Sequence, residues 1–346
     1  YVWTKSELQD IFPDDYELFA EYYNVNSNGY WENGNYILLR KTPDEKFVHE
    51  KNLKMEQLQE KVAGWKEKLL KARSKRVRPG LDDKTLTSWN ALVIQGLTDA
   101  YKAFQDEKFL LPAEKNARFL KENVMTREGK LFHTWKNGKH SVDGFMEDYA
   151  ILIQAFISLF EITGKKQWLE DAVKLLEYSI KHFFNAKNGL FYYSEAESSA
   201  VLTNHYQNED NVIPAANSVM VNNLHKLYLI LGEPQYLNDA KKMLQQIAPQ
   251  FINYPMAFSN WGNLMLKLNL PFFEVVVNGA QAQDKIQHMQ KDFRPNVLWA
   301  FAEGKSDISL LEGRFVSGKT LIYVCREGSC QLPLEKPEKA LELIKS

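Results

Sequence analysis

Cysteine is nearly missing: the 346 residues hold two, Cys325 and Cys330, too few for the disulfide framework of a small secreted scaffold. Their C-x4-C spacing is not the C-x-x-C of thiol exchange, so the pair reads as structural. An excess of either charge is missing as well, since 43 Lys and Arg face 44 Asp and Glu for a formal net charge of −1. That balance excludes an electrostatic case for nucleic acid or an anionic membrane as partner. No apolar run approaches the roughly 20 residues of a membrane-spanning helix. The start at Tyr1-Val2-Trp3-Thr4 has neither Met nor a basic-then-apolar leader. The expectations are a piece of a longer or processed protein and a reduced, cytoplasmic setting. Phosphate-loop, dinucleotide and nucleophile-elbow motifs are absent, which argues against nucleotide binding and serine hydrolysis. His140, His205 and His225 lack ligand spacing, so neither a catalytic metal nor a cofactor is expected.

What is there suits a sizeable core, with 45% apolar and 13% aromatic residues. Residues 1–50 read as an irregular opening segment with short helices over 4–10, capped by Thr4, and over 14–23. Strand-like runs follow at 30–31 and 36–39. Residues 53–75 form an amphipathic helix with Leu58, Val62, Trp65 and Leu69 on one face. The cations Lys71, Arg73, Lys75, Arg76 and Arg78 gather at its end, where they offset the helix dipole.

From residue 85 the chain repeats itself. Asn90-Ala-Leu-Val-Ile-Gln aligns with Tyr149-Ala-Ile-Leu-Ile-Gln, and Asn217 begins a third copy. Each copy is a helix, a short turn, a second helix and a loop, a unit that must stack on its neighbours to bury its apolar faces. The first helix of each pair is apolar nearly all round and the second amphipathic, which places the first inside and the second outside. The fold class expected is mainly α, an (α/α)6-type toroid over residues 1–270. Residues 271–346 change pattern, with strands at 272–278, 297–301 and 320–325 and helices at 283–292 and 336–345, and read as a small α/β appendage.

Long loops and inner-helix N-termini must then share one rim, and the opposite rim receives only short links. The long-loop rim is the expected working face. Acidic pairs there, Asp82-Asp83 and Glu147-Asp148, are acid/base candidates of the type glycoside chemistry uses. Glu209-Asp210 lies on the same rim. Carboxylates at helix starts also cap amides. His133 offers a base near neutral pH, or a hydrogen-bonded loop residue. Trp89, Trp135, Tyr149, Tyr192 and Tyr193 could form a platform for a sugar ring, or fill the core. Asn90 and Asn217, polar in apolar helices, must bond a loop backbone or a ligand.

The stretch Arg78-Pro-Gly-Leu-Asp-Asp-Lys-Thr-Leu-Thr-Ser-Trp-Asn, with Gly144-Phe-Met-Glu-Asp-Tyr-Ala, Ala216-Asn-Ser-Val and Tyr323-Val-Cys-Arg, resembles the thioredoxin-domain-containing family of YyaL-type bacterial proteins and spermatogenesis-associated protein. The resemblance spans nearly the whole chain. It implies an N-terminal thioredoxin-like domain as partner in the full-length protein. It also implies a toroid similar to N-acylglucosamine 2-epimerases and six-hairpin glycosidases, hence carbohydrate as ligand class. Pro214-Ala-Ala-Asn-Ser departs from the family's Pro-Ser-Gly-Asn-Ser-type pattern near Asn217. The expected function is a carbohydrate-active or carbohydrate-binding cleft, with Asp82, Asp83, Glu147, Asp148 and His133 as chemical groups. Trp89, Asn90, Tyr149, Trp135, Tyr192 and Asn217 would bind the sugar. The alternative is a non-catalytic scaffold that presents a partner to the thioredoxin-like domain.

Overall fold

Thr4 starts the first helix as its position predicts: its hydroxyl accepts from Glu7 N at 3.2 Å while the Glu7 carboxylate accepts from Thr4 N at 2.8 Å. The computed structural model describes residues 2–196 and 205–344. It forms two units, Tyr1–Asp82 and Asp83–Ser346. The first unit runs β1 (Trp3–Thr4), α1 (Lys5–Ile11), α2 (Tyr16–Tyr22), β2 (Asn35–Tyr36), α3 (Asp44–Lys51) and α4 (Met55–Ser74). Leu58 and Trp65 of α4 are buried with Phe12, Phe19, Tyr22 and Phe47. The strand expected over 36–39 shortens to β2, because its partner β1 offers two residues before turning helical.

In the second unit, β3 (Thr85–Leu86) leads into three helical hairpins. These are α5 (Thr87–Phe104) with α6 (Glu107–Asn123), α7 (Met146–Thr163) with α8 (Lys166–Phe183), and α9 (Ala216–Leu231) with α10 (Pro234–Asn253). Between them lie the hairpin β4 (Phe132–Lys136)–β5 (Lys139–Asp143) and the short pair β6 (Phe184–Asn185)–β7 (Leu190–Phe191), and α11 (Ser259–Asn269) follows. Helices α5, α7, α9 and α11 stand side by side as the inner row, with α6, α8 and α10 behind. The mainly-α hairpin architecture expected of an α/α toroid is the one observed. Apolar side chains on every face of α7 drive its burial, which is complete for Ile151, Leu152, Ile153, Phe156 and Ile157. Gly164 and Gly232 end α7 and α9 with φ of 64° and 75°, a left-handed cap that lets each link be short.

The C-terminal strands are β8 (Phe273–Asn278), β9 (Val297–Ala302), β10 (Leu321–Arg326) and β11 (Ser329–Cys330), with α12 (Ala282–Gln290) and α13 (Pro337–Leu343). The expected reach of the last helix to Lys345 lies outside the described residues. The sheet order is β11-β10-β8-β9, with β8 and β9 parallel. Strand alternation sorts its residues: Val276, Leu298 and Ala300 join the hairpin core, while Val275, Val277, Trp299 and Phe301 pack under α12 and α13. Cys325 and Cys330 face each other across β10 and β11 and are joined by a disulfide. The C-x4-C spacing alone implies structural cysteines and does not show that they pair. The pairing follows from the reversal at Glu327-Gly328, both at positive φ, which makes C-x4-C a two-residue hairpin. Among the described residues no helix is long and apolar enough to cross a membrane.

Candidate functional site

Asp148 organises the long-loop rim. It sits in the first turn of α7, fully buried, and reaches back to accept from Phe145 N at 2.9 Å. Its other oxygen accepts from Ser88 N at 2.9 Å, in the first turn of α5. One carboxylate therefore satisfies donors at two helix starts, where the positive ends of both dipoles favour it. His133 Nδ1 lies 2.9 Å and 3.2 Å from the two oxygens of Asp148. A carboxylate only accepts, so Nδ1 carries the proton and the neutral ring keeps its lone pair on Nε2. The bond to Asp148, opposed by burial, raises the His133 pKa.

Glu147 is the second acid of the cluster. Burial, and next the charge of Asp148, raises its pKa, so its protonated form persists to higher pH than usual. Ser88 Oγ lies 3.5 Å from Glu147 Oε1, and the Gln207 side chain also bonds this carboxyl. Tyr193 completes the wall: its ring stacks on Phe145 at 4.9 Å. Burial and then the charge of Glu147 push the Tyr193 phenol up, and its hydroxyl bonds Glu147. His133, Glu147 and Asp148 form the one group among the described residues whose donor atoms could gather on a metal, all within 4.8 Å of one another. Both Asp148 oxygens already serve backbone amides and share their remaining lone pairs with His133 Nδ1, so an ion would compete with the His133–Asp148 bond.

The other expected site residues divide. Asp82 is exposed and belongs to the first unit. Asp83 is exposed and ion-pairs with Lys136 of β4. Trp89 is 63% exposed at the start of α5. Trp135 packs edge-on against Phe119 at 5.1 Å. Tyr192 stacks on Tyr206, and its hydroxyl accepts from Asn185 at 2.7 Å. Asn90 donates to Leu86 O, on the residue just before its helix. Tyr149 is buried with its hydroxyl accepting from Leu131 N at 2.8 Å. Asn217, also buried, accepts from Phe191 N and donates to Phe191 O, both at 2.8 Å. Tyr149 and Asn217 occupy equivalent repeat positions and do equivalent work, each pinning the strand that follows the preceding outer helix. Asp210 likewise accepts from Ala215 N and Asn260 N. Asn217→Ala strands both backbone groups of Phe191 and is expected to destabilise the protein by about 2 kcal/mol, measured by urea unfolding.

A second polar region runs along the inner helices. In α7 the polar residues Glu147, Gln154 and Glu161 recur every seven positions, and in α5 Ser88, Gln95 and Lys102 do the same. A seven-residue step returns to the same helix face, so polar residues at that period in an apolar helix were the available signal. Gln95, Lys102, Gln154 and Glu161 line a cavity of about 380 Å³ with residues of α9, α11 and the 290–299 segment. Over the fourteen residues from Glu147 to Glu161 a helix rises about 21 Å, so this cavity's charged end is distinct from the rim cluster.

No family model matches the chain. It is 26% identical to spermatogenesis-associated protein 20 of Mus musculus, over 99% of this chain and 49% of that protein. It is 25% identical to the Homo sapiens protein of that name, over 99% and 49%. The chain thus spans about half the length of the curated relatives it matches, and the resemblance carried by the Arg78 and Gly144 motifs holds. Among solved structures, a cellobiose 2-epimerase from Bacillus thermoamylovorans aligns with TM-score 0.40 and 16% identity, over 47% of this chain and 44% of that one. A family 76 α-mannanase of Bacteroides thetaiotaomicron aligns with TM-score 0.45 and 14% identity, over 88% and 78%.

Proposed function

We propose that the second unit acts on carbohydrate by proton transfer, in the manner of a sugar epimerase, with His133 as base and Glu147 as acid. The observation that carries this reading is the His133–Asp148 bond beside a carboxyl whose pKa is raised. Asp148 fixes the imidazole tautomer, which leaves Nε2 free to take a proton from carbon beside a sugar carbonyl. Glu147, within the same 4.8 Å group, supplies a proton to the developing oxyanion. A two-carboxylate glycosidase mechanism would need a second acid free to act as nucleophile or base. Asp148 is not free, because both its oxygens hold helix amides. Carbohydrate is the ligand class the toroid resemblance implies, and Trp89, exposed in the first turn of α5, has the flat face that stacks on a sugar ring.

The test is incubation with reducing mono- and disaccharides in D2O, followed by proton NMR. Solvent deuterium beside the carbonyl, with a new epimer or ketose, is the expected result, and His133→Asn should abolish it. Release of free sugar from aryl glycosides without deuterium uptake would replace this reading with a hydrolytic one. Neither outcome across the panel would overturn the reading.

A further inference from the structure

The cavity of about 380 Å³ on the inner row lies in the lower part of the roughly 300–1,000 Å³ range of small-molecule sites. Its electrostatics are unbalanced. Glu161, 2% exposed, is shared by Lys102 Nζ at 3.0 Å and Lys226 Nζ at 2.6 Å. Asp99 lies 3.7 Å from the same Lys102, and Asp292 takes Arg294 at 3.2 Å. Besides the exposed Lys291, the part-buried Lys267 is left over. Its ammonium donates to the neutral Asn222 Oδ1 at 2.8 Å, and among the described residues it has no ion-pair partner. Burial and the nearby Lys226 charge lower its pKa to about 7, against the pull of Glu161. Two further groups on residues that line the cavity are unsatisfied: Gln290 Oε1, on a residue 4% exposed, and Arg294 Nε. A desolvated cation without a counter-charge is costly, and a buried orphan acceptor asks for a hydroxyl donor.

We propose that this cavity binds a small hydroxylated molecule through an oxyanion, phosphate or carboxylate, that pairs with Lys267, while a hydroxyl of the ligand donates to Gln290. The proposal stands independently of the reading of His133. The purified chain would be titrated calorimetrically with glucose 6-phosphate, glucuronate and glucose at neutral pH. One or both of the charged sugars should bind at least about tenfold more tightly than glucose, since a desolvated charge pair contributes strongly to affinity. Which charged sugar binds tighter identifies the oxyanion. Binding should also draw protons from buffer, because the ligand's charge favours the ammonium form of Lys267. Lys267→Met should lose about tenfold or more in affinity, whereas Lys267→Arg, which keeps the charge, should retain most of it. Equal binding of glucose, no binding of either charged sugar, or unchanged affinity in a folded Lys267→Met would each overturn the proposal.

Discussion

Glu161→Gln is expected to destabilise the second unit by about 2 to 4 kcal/mol, because it leaves two part-buried ammonium groups, 19% and 21% exposed, without their shared counter-charge. Burial alone would raise the Glu161 pKa, but Lys102 and Lys226 outweigh it and lower the value to about 2. A carboxylate depressed in this way contributes stability that is fully present above its unfolded value of 4.5 and is lost as pH falls toward 2. The variant should therefore differ most from the parent near neutrality, with the gap closing in acid. Urea unfolding at pH 7 and at pH 3 reads both. A difference under about 1 kcal/mol at pH 7 would show that water already solvates the lysines, as at surface pairs. Replacing Glu161, Lys102 and Lys226 together by Met should come close to the parent, since breaking such a pair costs far more than exchanging it whole for apolar groups.

That network also marks the limit of what the sequence discloses. Helix positions and the inside–outside order of the hairpins follow from apolar periodicity, and Thr4 as cap from local chemistry. Both are short-range signals, visible within one or two turns. Glu147, Asp148 and His133 were legible as rim residues because helix starts and long loops share a side. Their division of labour was not, for it depends on Asp148 bonding an amide of a neighbouring helix sixty residues away. Tyr149 and Asn217 look like ligand-reading groups in a sequence, since a polar atom in an apolar helix must bond something. The partner proved to be the loop backbone. Lys102 and Lys267 lie in the last turns of their helices, where the dipole favours any cation, and Lys226 lies one turn further in, so nothing local marks the three as one group. Only side-by-side packing of four inner helices turns those ends toward one cavity.

Asp148→Asn tests the rim in the same way. An asparagine can still accept from one helix start, but its NH2 now faces either Phe145 N or Ser88 N, and it lies within reach of the imidazole in both cases. Where it meets His133 Nδ1 it imposes the opposite tautomer, with the proton on Nε2 and no base left there. If the proton-transfer reading is right, turnover should fall by about 10²- to 10⁴-fold, the range typical of a positioned general base. The titration of His133 supplies a readout independent of any substrate. In the parent, the bond to Asp148 raises the imidazole pKa, so it stabilises the fold fully below the ordinary 6.5 and is lost as pH rises through the raised value. In the variant the imidazole should titrate lower, and Glu147, relieved of its neighbour's charge, should also titrate lower. Both limbs of a pH–rate profile then move toward acid together. An unchanged His133 titration in Asp148→Asn would mean that the ring does not take its protonation state from this carboxylate, and the acid–base pair would lose its physical basis.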